Sequence, residues 1–362
     1  MLFAEKINKT QNLAFKIQDG LDVKVMGSSQ EEYNYRNKSV YTFNLFDAES
    51  DKFSFSIIGM DHVKIIQYIN MVVNRDYRIK SGKFAVHNIY IKNNWKKDYQ
   101  ICLGISGEGE DKIAELVKFL FQIVEKIIVD LDISIVSGYY YLENRKVVLK
   151  EKEFRLFFGQ EKLEESVDIK VGQRFTMPRK VWLSPYSFSR VNYGNSCLIY
   201  QKVWDTCHSL KGRHKYVLFG RDLYYPLKVL EPVRNVASFY GITHCPITYR
   251  DILADKDGEY GDICRFVDKK EYVPYLSRHL DTCSEKKFVF VLTASRNGLG
   301  PKLGEMLLEY RDRIKMIIYI ACSIPNMQKD LTRLKESYSI QEMNISNEFS
   351  HTNFNNNLVI LV

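Results

Sequence analysis

The second half of the sequence alternates between short apolar runs and segments with helical spacing, and this alternation constrains the fold more than any other feature. Strands are predicted, in chain order, at Tyr216–Phe219, Leu227–Leu230, Phe288–Leu292, Met316–Ile320, Ile340–Ile345 and Leu358–Val362. Helices are predicted at Cys197–Leu210, Val233–Tyr240, Met306–Tyr310 and Gln328–Ser337. Strands that alternate with helices indicate a doubly wound α/β domain.

The first half contains more strands than helices. Its predicted strands are Val40–Leu45, Lys52–Ile58, Phe84–Ile91, Tyr99–Ile105, Ile133–Leu142 and Lys146–Leu149. Its predicted helices are Asp61–Val73 and Lys112–Val129. This pattern is typical of an α+β domain. Because 362 residues exceed what one hydrophobic core usually fills, two domains are predicted, at residues 1–185 and 186–362.

Positive charge is concentrated near the middle of the chain. The formal net charge is +8 at pH 7. The stretch from Lys170 to Lys215 contains nine basic residues and one acidic residue, Asp205, so its net charge equals that of the whole chain. Such clustering favours a surface that contacts phosphate groups, although a solvated lysine-rich surface gives the same bulk charge.

Cysteine usage and hydropathy exclude several classes of protein. The seven cysteines are scattered, with no C-x-x-C pair, so neither a disulfide framework nor a metal site is indicated. A reducing intracellular compartment is expected: the cytoplasm, with nucleus or organelle left open. The longest apolar run, Ile113–Asp130, is broken by charges and predicts a buried helix, not a membrane span. Residues 1–16 lack the apolar core of a signal peptide.

Five short motifs occur in the order expected of one enzyme family. In chain order they are Tyr35–Lys38, Phe188–Asn192, Arg296–Gly300, Ile317–Ser323 with Lys329–Leu331, and Phe349–Thr352. Together they resemble the tRNA (uracil-5-)-methyltransferase family. The resemblance implies an N-terminal α+β RNA-binding domain followed by a Rossmann-like S-adenosylmethionine methyltransferase domain, here with a reduced cofactor loop.

The resemblance also implies which residues would act on a uracil base. Cys322 stands where the family has the nucleophile that attacks carbon 6, although a strand-end cysteine is also an ordinary small core residue. Asn356 replaces the glutamate base, and Thr293 replaces the aspartate of D-P-P-R. Arg296 alone is kept from that tetrad, and Arg190 replaces the glutamine of F-x-Q-x-N.

The implied donor site departs further from the family. A loop that cradles this kind of cofactor needs several glycines, but the segment after Tyr216–Phe219 carries only Gly220. Glu231, placed at the end of the predicted second strand, matches the acidic residue that holds the ribose, or is simply a solvated carboxylate. No cofactor is therefore expected, and S-adenosylmethionine only if the protein is active.

RNA recognition is the property that the sequence favours. Candidate contacts combine cations with aromatic rings and include Arg36, Lys38, Phe84, Lys96, Lys97, Arg190, Lys211 and Arg213. The expected partner is structured RNA, either tRNA or rRNA, within or outside a ribonucleoprotein complex. Three hypotheses stay open: an inactive RNA-binding protein, an active methyltransferase that uses Glu348 or His351 as base, and a protein–protein scaffold.

Overall fold

The computed structural model divides the chain into two compact units. It describes residues 3–18, 21, 23–26, 38–42, 59–76, 84–107, 109–143, 153–173, 175–255, 260–284, 287–294, 296–346 and 356–362. The first unit comprises Met1–Gln30, Ser166–Val181 and Gly194–Val362, and the second comprises Glu31–Glu165 and Trp182–Tyr193. The boundary at 185/186 stays a prediction.

The helices and strands are numbered along the chain. The helices are α1 (Phe3–Ile17), α2 (Met60–Arg75), α3 (Glu110–Leu131), α4 (Tyr193–His208), α5 (Tyr224–Leu230), α6 (Pro246–Leu253), α7 (Tyr272–Thr282), α8 (Pro301–Glu309) and α9 (Ile324–Leu334). The strands up to residue 183 are β1 (Val23–Val25), β2 (Lys38–Thr42), β3 (Phe84–Asn93), β4 (Tyr99–Gly107), β5 (Ile135–Leu142), β6 (Arg155–Gly159), β7 (Leu163–Val171) and β8 (Phe175–Leu183). The later strands are β9 (His214–Gly220), β10 (Val236–Thr243), β11 (Cys264–Phe266), β12 (Phe288–Thr293), β13 (Ile314–Ala321), β14 (Ile340–Ser346) and β15 (Asn356–Leu361).

The first unit is built on a mostly parallel sheet. Its strand order is β1-β14-β15-β13-β12-β9-β10-β11, and β15 runs antiparallel to both of its neighbours. Strands β12 and β15 are buried along their whole length, which explains the apolar runs Phe288–Leu292 and Leu358–Leu361, because helices cover both faces of such a sheet. The predicted α/β fold class is confirmed.

Two predicted elements in this unit are wrong. Leu227–Leu230 belongs to helix α5, not to a strand, and Val233–Tyr240 lies largely in strand β10, not in a helix. A run of four apolar residues carries no period, so burial decides its structure. Strand β10 pairs in parallel with β9, and this pairing outweighs the helix-like spacing.

The second unit contains a five-stranded sheet in the order β2-β3-β4-β5-β6. Helices α2 and α3 bury their apolar residues against this sheet, in a core that includes Ile69, Ile89, Ile101 and Leu120. The predicted strands Phe84–Ile91 and Tyr99–Ile105 are confirmed as β3 and β4, which pair antiparallel. Strand β5 pairs with β6; the predicted strands Lys52–Ile58 and Lys146–Leu149 lie outside the described residues. None of the helices in the described part of the chain has the length and apolarity needed to cross a membrane.

Helix α1 buries one lysine together with its apolar face. Leu13, Ala14 and Ile17 enter the core of the first unit, and Lys6 is also fully buried. Burial lowers the pKa of Lys6 from 10.5 to about 8. The charged form of Lys6 is therefore disfavoured in the folded protein.

We expect Lys6→Met to raise the free energy of unfolding at pH 7 by about 2 kcal/mol. The folded-state pKa lies below the unfolded value, so the cost of burying the charge is complete below pH 8 and disappears as the pH rises towards 10.5. Urea denaturation at pH 7 and pH 9.5 measures this, with the exposed Lys9→Met as control. A gain of equal size at both pH values would contradict the assignment.

Candidate functional site

The parallel sheet of the first unit has a switch point between β9 and β12. From β9 the chain continues to β10 and β11 on one side, and afterwards to β12 and β13 on the other. Ligands of open α/β sheets bind outside the carboxyl ends of the strands at such a point. Gly220 ends β9 and Thr293 ends β12, so these two residues form the floor of the site.

Thr293 occupies the switch point itself. Its hydroxyl donates a hydrogen bond to the Phe219 carbonyl at 3.1 Å. Gly220 has φ of +149°, and a Cβ atom there would lie 1.7 Å from Thr293 Oγ1 and 2.7 Å from the Thr293 carbonyl oxygen. The glycine is therefore required by contact with Thr293, whereas a cofactor loop uses glycine to approach a ligand.

The segment after Gly220 is packed into the protein. Tyr224 and Tyr225 are buried at the start of the seven-residue helix α5. Tyr225 stacks on Tyr200, with ring centroids 5.6 Å apart, and the Tyr200 hydroxyl donates to Asp222 at 2.9 Å. These contacts hold large side chains where a glycine-rich loop would leave open space.

Backbone groups and charges fix this segment further. The Thr248 hydroxyl donates to the Arg221 carbonyl at 3.1 Å, which ties the segment to α6. At the other end of α5, the buried Lys228 ammonium lies 3.0 Å from the Asp255 carboxylate. Removing one partner of such a buried pair usually costs about 3–5 kcal/mol, so α5 is held firmly in place.

Glu231 is not at a strand end. It follows α5, accepts a hydrogen bond from Arg179, and accepts another from the Tyr260 hydroxyl at 2.8 Å. The strand that follows β9 in the chain is β10, which ends at Thr243, so His244 takes the position at the end of the second strand where the family resemblance implies an acidic residue. Burial, with smaller effects from Lys269 and Arg221, lowers the pKa of His244 below its ordinary value. Histidine has no carboxylate that could accept hydrogen bonds from ribose hydroxyls.

The adjoining ends of β13 and β15 bring Cys322 and Asn356 together. Asn357 pairs with Ala321 in this antiparallel ladder, so the next residues on the two strands are Cys322 and Asn356. Cys322 is half-buried and Asn356 is fully buried, and each is the chain neighbour of one member of the Ala321–Asn357 pair.

Polar groups surround this location. Asn356 Nδ2 is buried and meets no hydrogen-bond acceptor among the described residues. Asn357 Nδ2 donates to the Ala321 carbonyl at 3.4 Å, and the Ser346 hydroxyl donates to Asn195 at 3.0 Å. Asn356 and Asn357 are the first two residues of β15, and both are buried.

The loop that carries Arg296 is fixed beside Cys322 by helix α9. The Asp330 carboxylate accepts the Tyr319 hydroxyl at 2.6 Å and the Leu299 N–H at 2.9 Å. Burial raises the pKa of Asp330 above its ordinary value, although these hydrogen bonds lower it. Asn326 Nδ2 donates to the Arg296 carbonyl at 2.6 Å. Thr293 ends β12, Arg296 and Cys322 follow β12 and β13, and Asn356 begins the antiparallel strand β15, so all four belong to the same edge of the sheet.

The candidate RNA contacts are distributed over both units. In the second unit Lys38 begins β2 with its ammonium 5.3 Å from the Tyr90 ring centre, and Phe84 begins β3. Arg190 is buried, with its guanidinium carbon 5.6 Å from the Phe188 ring centre. Arg36 and the segment Phe349–Thr352 lie outside the described residues.

The β3–β4 turn of the second unit presents an aromatic ring with cations. Trp95 is 45% exposed and stacks on Tyr193 at 6.0 Å. The Lys96 ammonium lies 5.3 Å from the Trp95 ring centre and 3.0 Å from Glu164, while Lys97 is exposed. In the first unit Lys211 and Arg213 are exposed in the turn that precedes β9.

Comparison with known proteins identifies the class of fold. The chain superimposes on a Pyrococcus abyssi tRNA (uracil-54, C5)-methyltransferase in complex with S-adenosyl-L-homocysteine, with a TM-score of 0.67 and 15% identity, over 99% of this chain and 83% of that one. A putative S-adenosylmethionine-dependent methyltransferase from Streptococcus mutans gives 0.43 and 13%, over 82% and 81%. No protein-family model and no curated protein sequence matches the chain.

The chain therefore has the Rossmann-like fold of S-adenosylmethionine-dependent methyltransferases. At 15% identity the likeness concerns the fold alone. Sequence reasoning missed His244, Asp222 and Asn357. The predicted strand at Leu227–Leu230 concealed the true end of the second strand, and a spacing of about 20 residues beyond the first glycine would have located His244.

We expect Gly220→Ala to lower the free energy of unfolding by about 2–4 kcal/mol, because the new methyl group meets Thr293 and the backbone has positive φ. In a Thr293→Ala background the penalty shrinks by about 1 kcal/mol or more. Gly172→Ala is the matched control, since it has φ of +67° but open space around it. A double-mutant cycle in urea measures the coupling, and additive effects would contradict the contact.

Proposed function

We propose that this protein binds structured RNA through a methyltransferase fold that no longer transfers a methyl group. The observation that supports this proposal is the closed switch point. Thr293 lies against Gly220, and helix α5 begins with two buried aromatic residues, Tyr224 and Tyr225. By contrast, the region of Cys322 and Asn356, where we propose that a nucleobase binds, keeps polar side chains beside the paired ends of β13 and β15. The proposal separates two functions that an active methyltransferase combines.

The residues at the switch point do not fit S-adenosylmethionine. The loop has one glycine, and that glycine has no room for even a methyl group because Thr293 lies against it. The Arg221 carbonyl is already bonded to Thr248, and His244 replaces an acidic residue at the end of β10. A cofactor bound here would have to displace buried side chains and break these bonds.

Asn356 supports binding of a nucleobase, but it cannot act as the general base of a methyl transfer. Methylation at carbon 5 of uracil requires a group that removes the carbon-5 proton, and an amide does not accept a proton at neutral pH. Loss of a general base typically removes about 10²–10⁴ in rate. The buried Asn356 Nδ2 is instead a donor that a carbonyl oxygen of an unstacked pyrimidine would satisfy.

The second unit supports RNA as the partner. Trp95 offers an exposed ring beside Lys96 and Lys97, and stacking on such rings is a common way to bind unpaired bases. A net charge of +8 favours a polyanion. We propose tRNA or rRNA, alone or within a ribonucleoprotein, in a reducing compartment where free thiols persist, since all seven cysteines are free.

Calorimetric titration with S-adenosylmethionine tests the loss of the donor site. We expect no binding heat up to millimolar ligand, because the switch point is filled. The matched control is the double variant Gly220→Ala with Thr293→Ala, which fills the floor differently and should also give no heat. Micromolar binding by the unaltered protein would favour the active enzyme, in which Glu348 or His351 acts as base and Cys322→Ala abolishes methylation of a tRNA transcript.

We expect the unaltered protein to bind a fluorescein-labelled tRNA transcript with an affinity that falls steeply with salt. Trp95→Ala should weaken binding at least fivefold, since stacking of one base contributes about 1–3 kcal/mol. Phe175→Ala, which removes a 61% exposed ring in the first unit, is the control. Fluorescence anisotropy measures both. Absence of RNA binding at low salt would favour the protein–protein scaffold instead.

A further inference from the structure

Parallel strands place all their amino ends at one edge of the sheet, opposite the switch point and Cys322. Five of the cations at this edge of the first unit form what we name the amino-edge cluster: Lys211 and Arg213 before β9, Arg234 before β10, Lys287 before β12, and Lys315 at the start of β13. Lys211, Arg213, Arg234 and Lys287 are exposed, and Lys315 is half-buried. The cluster therefore faces solvent across four adjacent strands.

Side-chain contacts join the segments at the starts of β13, β9 and β10. His214 Nε2 lies 3.0 Å from Lys315 Nζ and 2.9 Å from the Lys211 carbonyl oxygen, which links the starts of β13 and β9. Arg213 Nη2 reaches the Val236 carbonyl oxygen at 3.4 Å, which links β9 to β10. Four neighbouring strands span about 15 Å, so the cluster is wide enough to meet several consecutive phosphates.

The cations of the cluster are not neutralised within the described part of the first unit. Lys24 and Lys202 form ion pairs with Glu342, at 3.3 Å and 2.7 Å, but no described carboxylate lies within 4 Å of a cluster cation. Asp312, the exposed acidic residue near Lys315, stands in the turn between Arg311 and Arg313. Those two arginines are engaged with backbone carbonyls.

The turn that carries Lys211 and Arg213 is pre-organised. Asn235 Nδ2 donates to the carbonyl oxygens of Cys207 at 2.7 Å and Leu210 at 2.5 Å, which fixes the segment between α4 and β9. A fixed turn loses little conformational freedom when it binds. The cluster therefore has the rigidity of a binding surface as well as its charge.

We propose that the amino-edge cluster binds the phosphodiester backbone of the same RNA, an inference that rests on the proposed function. The described cluster offers cations without an exposed aromatic partner of the kind seen at Trp95, so it contacts phosphates and reads no base. RNA held here extends along the edge of the sheet opposite Cys322. These phosphate contacts lie at the edge of the sheet away from the residues that the family resemblance assigns to methyl transfer.

The test compares two variants with equal loss of charge. Lys211→Ala with Lys287→Ala removes two exposed cluster lysines, and Lys9→Ala with Lys16→Ala removes two exposed lysines of helix α1. Binding of the labelled tRNA transcript is measured from 50 to about 300 mM salt. The cluster variant should bind about tenfold more weakly near 100 mM, with a salt slope smaller by about 1.4, because each phosphate contact contributes about 0.7.

The outcomes separate this inference from the proposed function. If the unaltered protein and the α1 variant bind alike while the cluster variant is weakened, the inference stands. If both variants are weakened equally, or the cluster variant keeps its affinity and slope while Trp95→Ala still loses binding, the cluster is not a phosphate surface and RNA binding survives elsewhere. If the unaltered protein binds no RNA, both proposals fall. Unchanged thermal unfolding of the variants confirms that they are folded.

Discussion

The contact between Gly220 and Thr293 is the constraint on which the site depends. A nucleotide-type fold binds its ligand where strand order reverses, and that requires open backbone at the ends of the two central strands. Here the threonine hydroxyl satisfies the Phe219 carbonyl, and its side chain fills the space that the glycine leaves. Glycine is therefore required at position 220 by packing against Thr293.

The two ends of the site follow different physical rules. Around α5, aromatic rings and the Lys228–Asp255 pair are buried in the first unit. Around Cys322, by contrast, the buried Asn356 Nδ2 meets no hydrogen-bond acceptor among the described residues. Leaving such a buried donor unsatisfied costs about 1–3 kcal/mol.

The sequence predicted the elements whose signal is local. Strands β12 and β13 were found because continuous apolar runs are typical of buried parallel strands. Leu227–Leu230 was misassigned because its structure is decided by surrounding burial, and that error hid His244. The hydrogen bond from Thr293 to Phe219 joins residues 74 apart in sequence, and no local sequence pattern predicts it. The ordered motifs predicted Cys322, Arg296 and Asn356 as site residues, whereas the position of Cys322 and Asn356 beside the Ala321–Asn357 pair could be read only from the β13–β15 register.

Strand β1 completes the edge of the sheet by pairing with β14, and Gln18 bonds both backbone groups of Ile340, 322 residues away. A ribosome adds about 5–20 residues each second, so this pairing waits roughly 15–60 s after α1 has emerged. During that time Leu13, Ala14 and Ile17 have no core to enter. The apolar face of α1 therefore stays without its packing partners until the last part of the chain, which contains β14 and β15, has been synthesised.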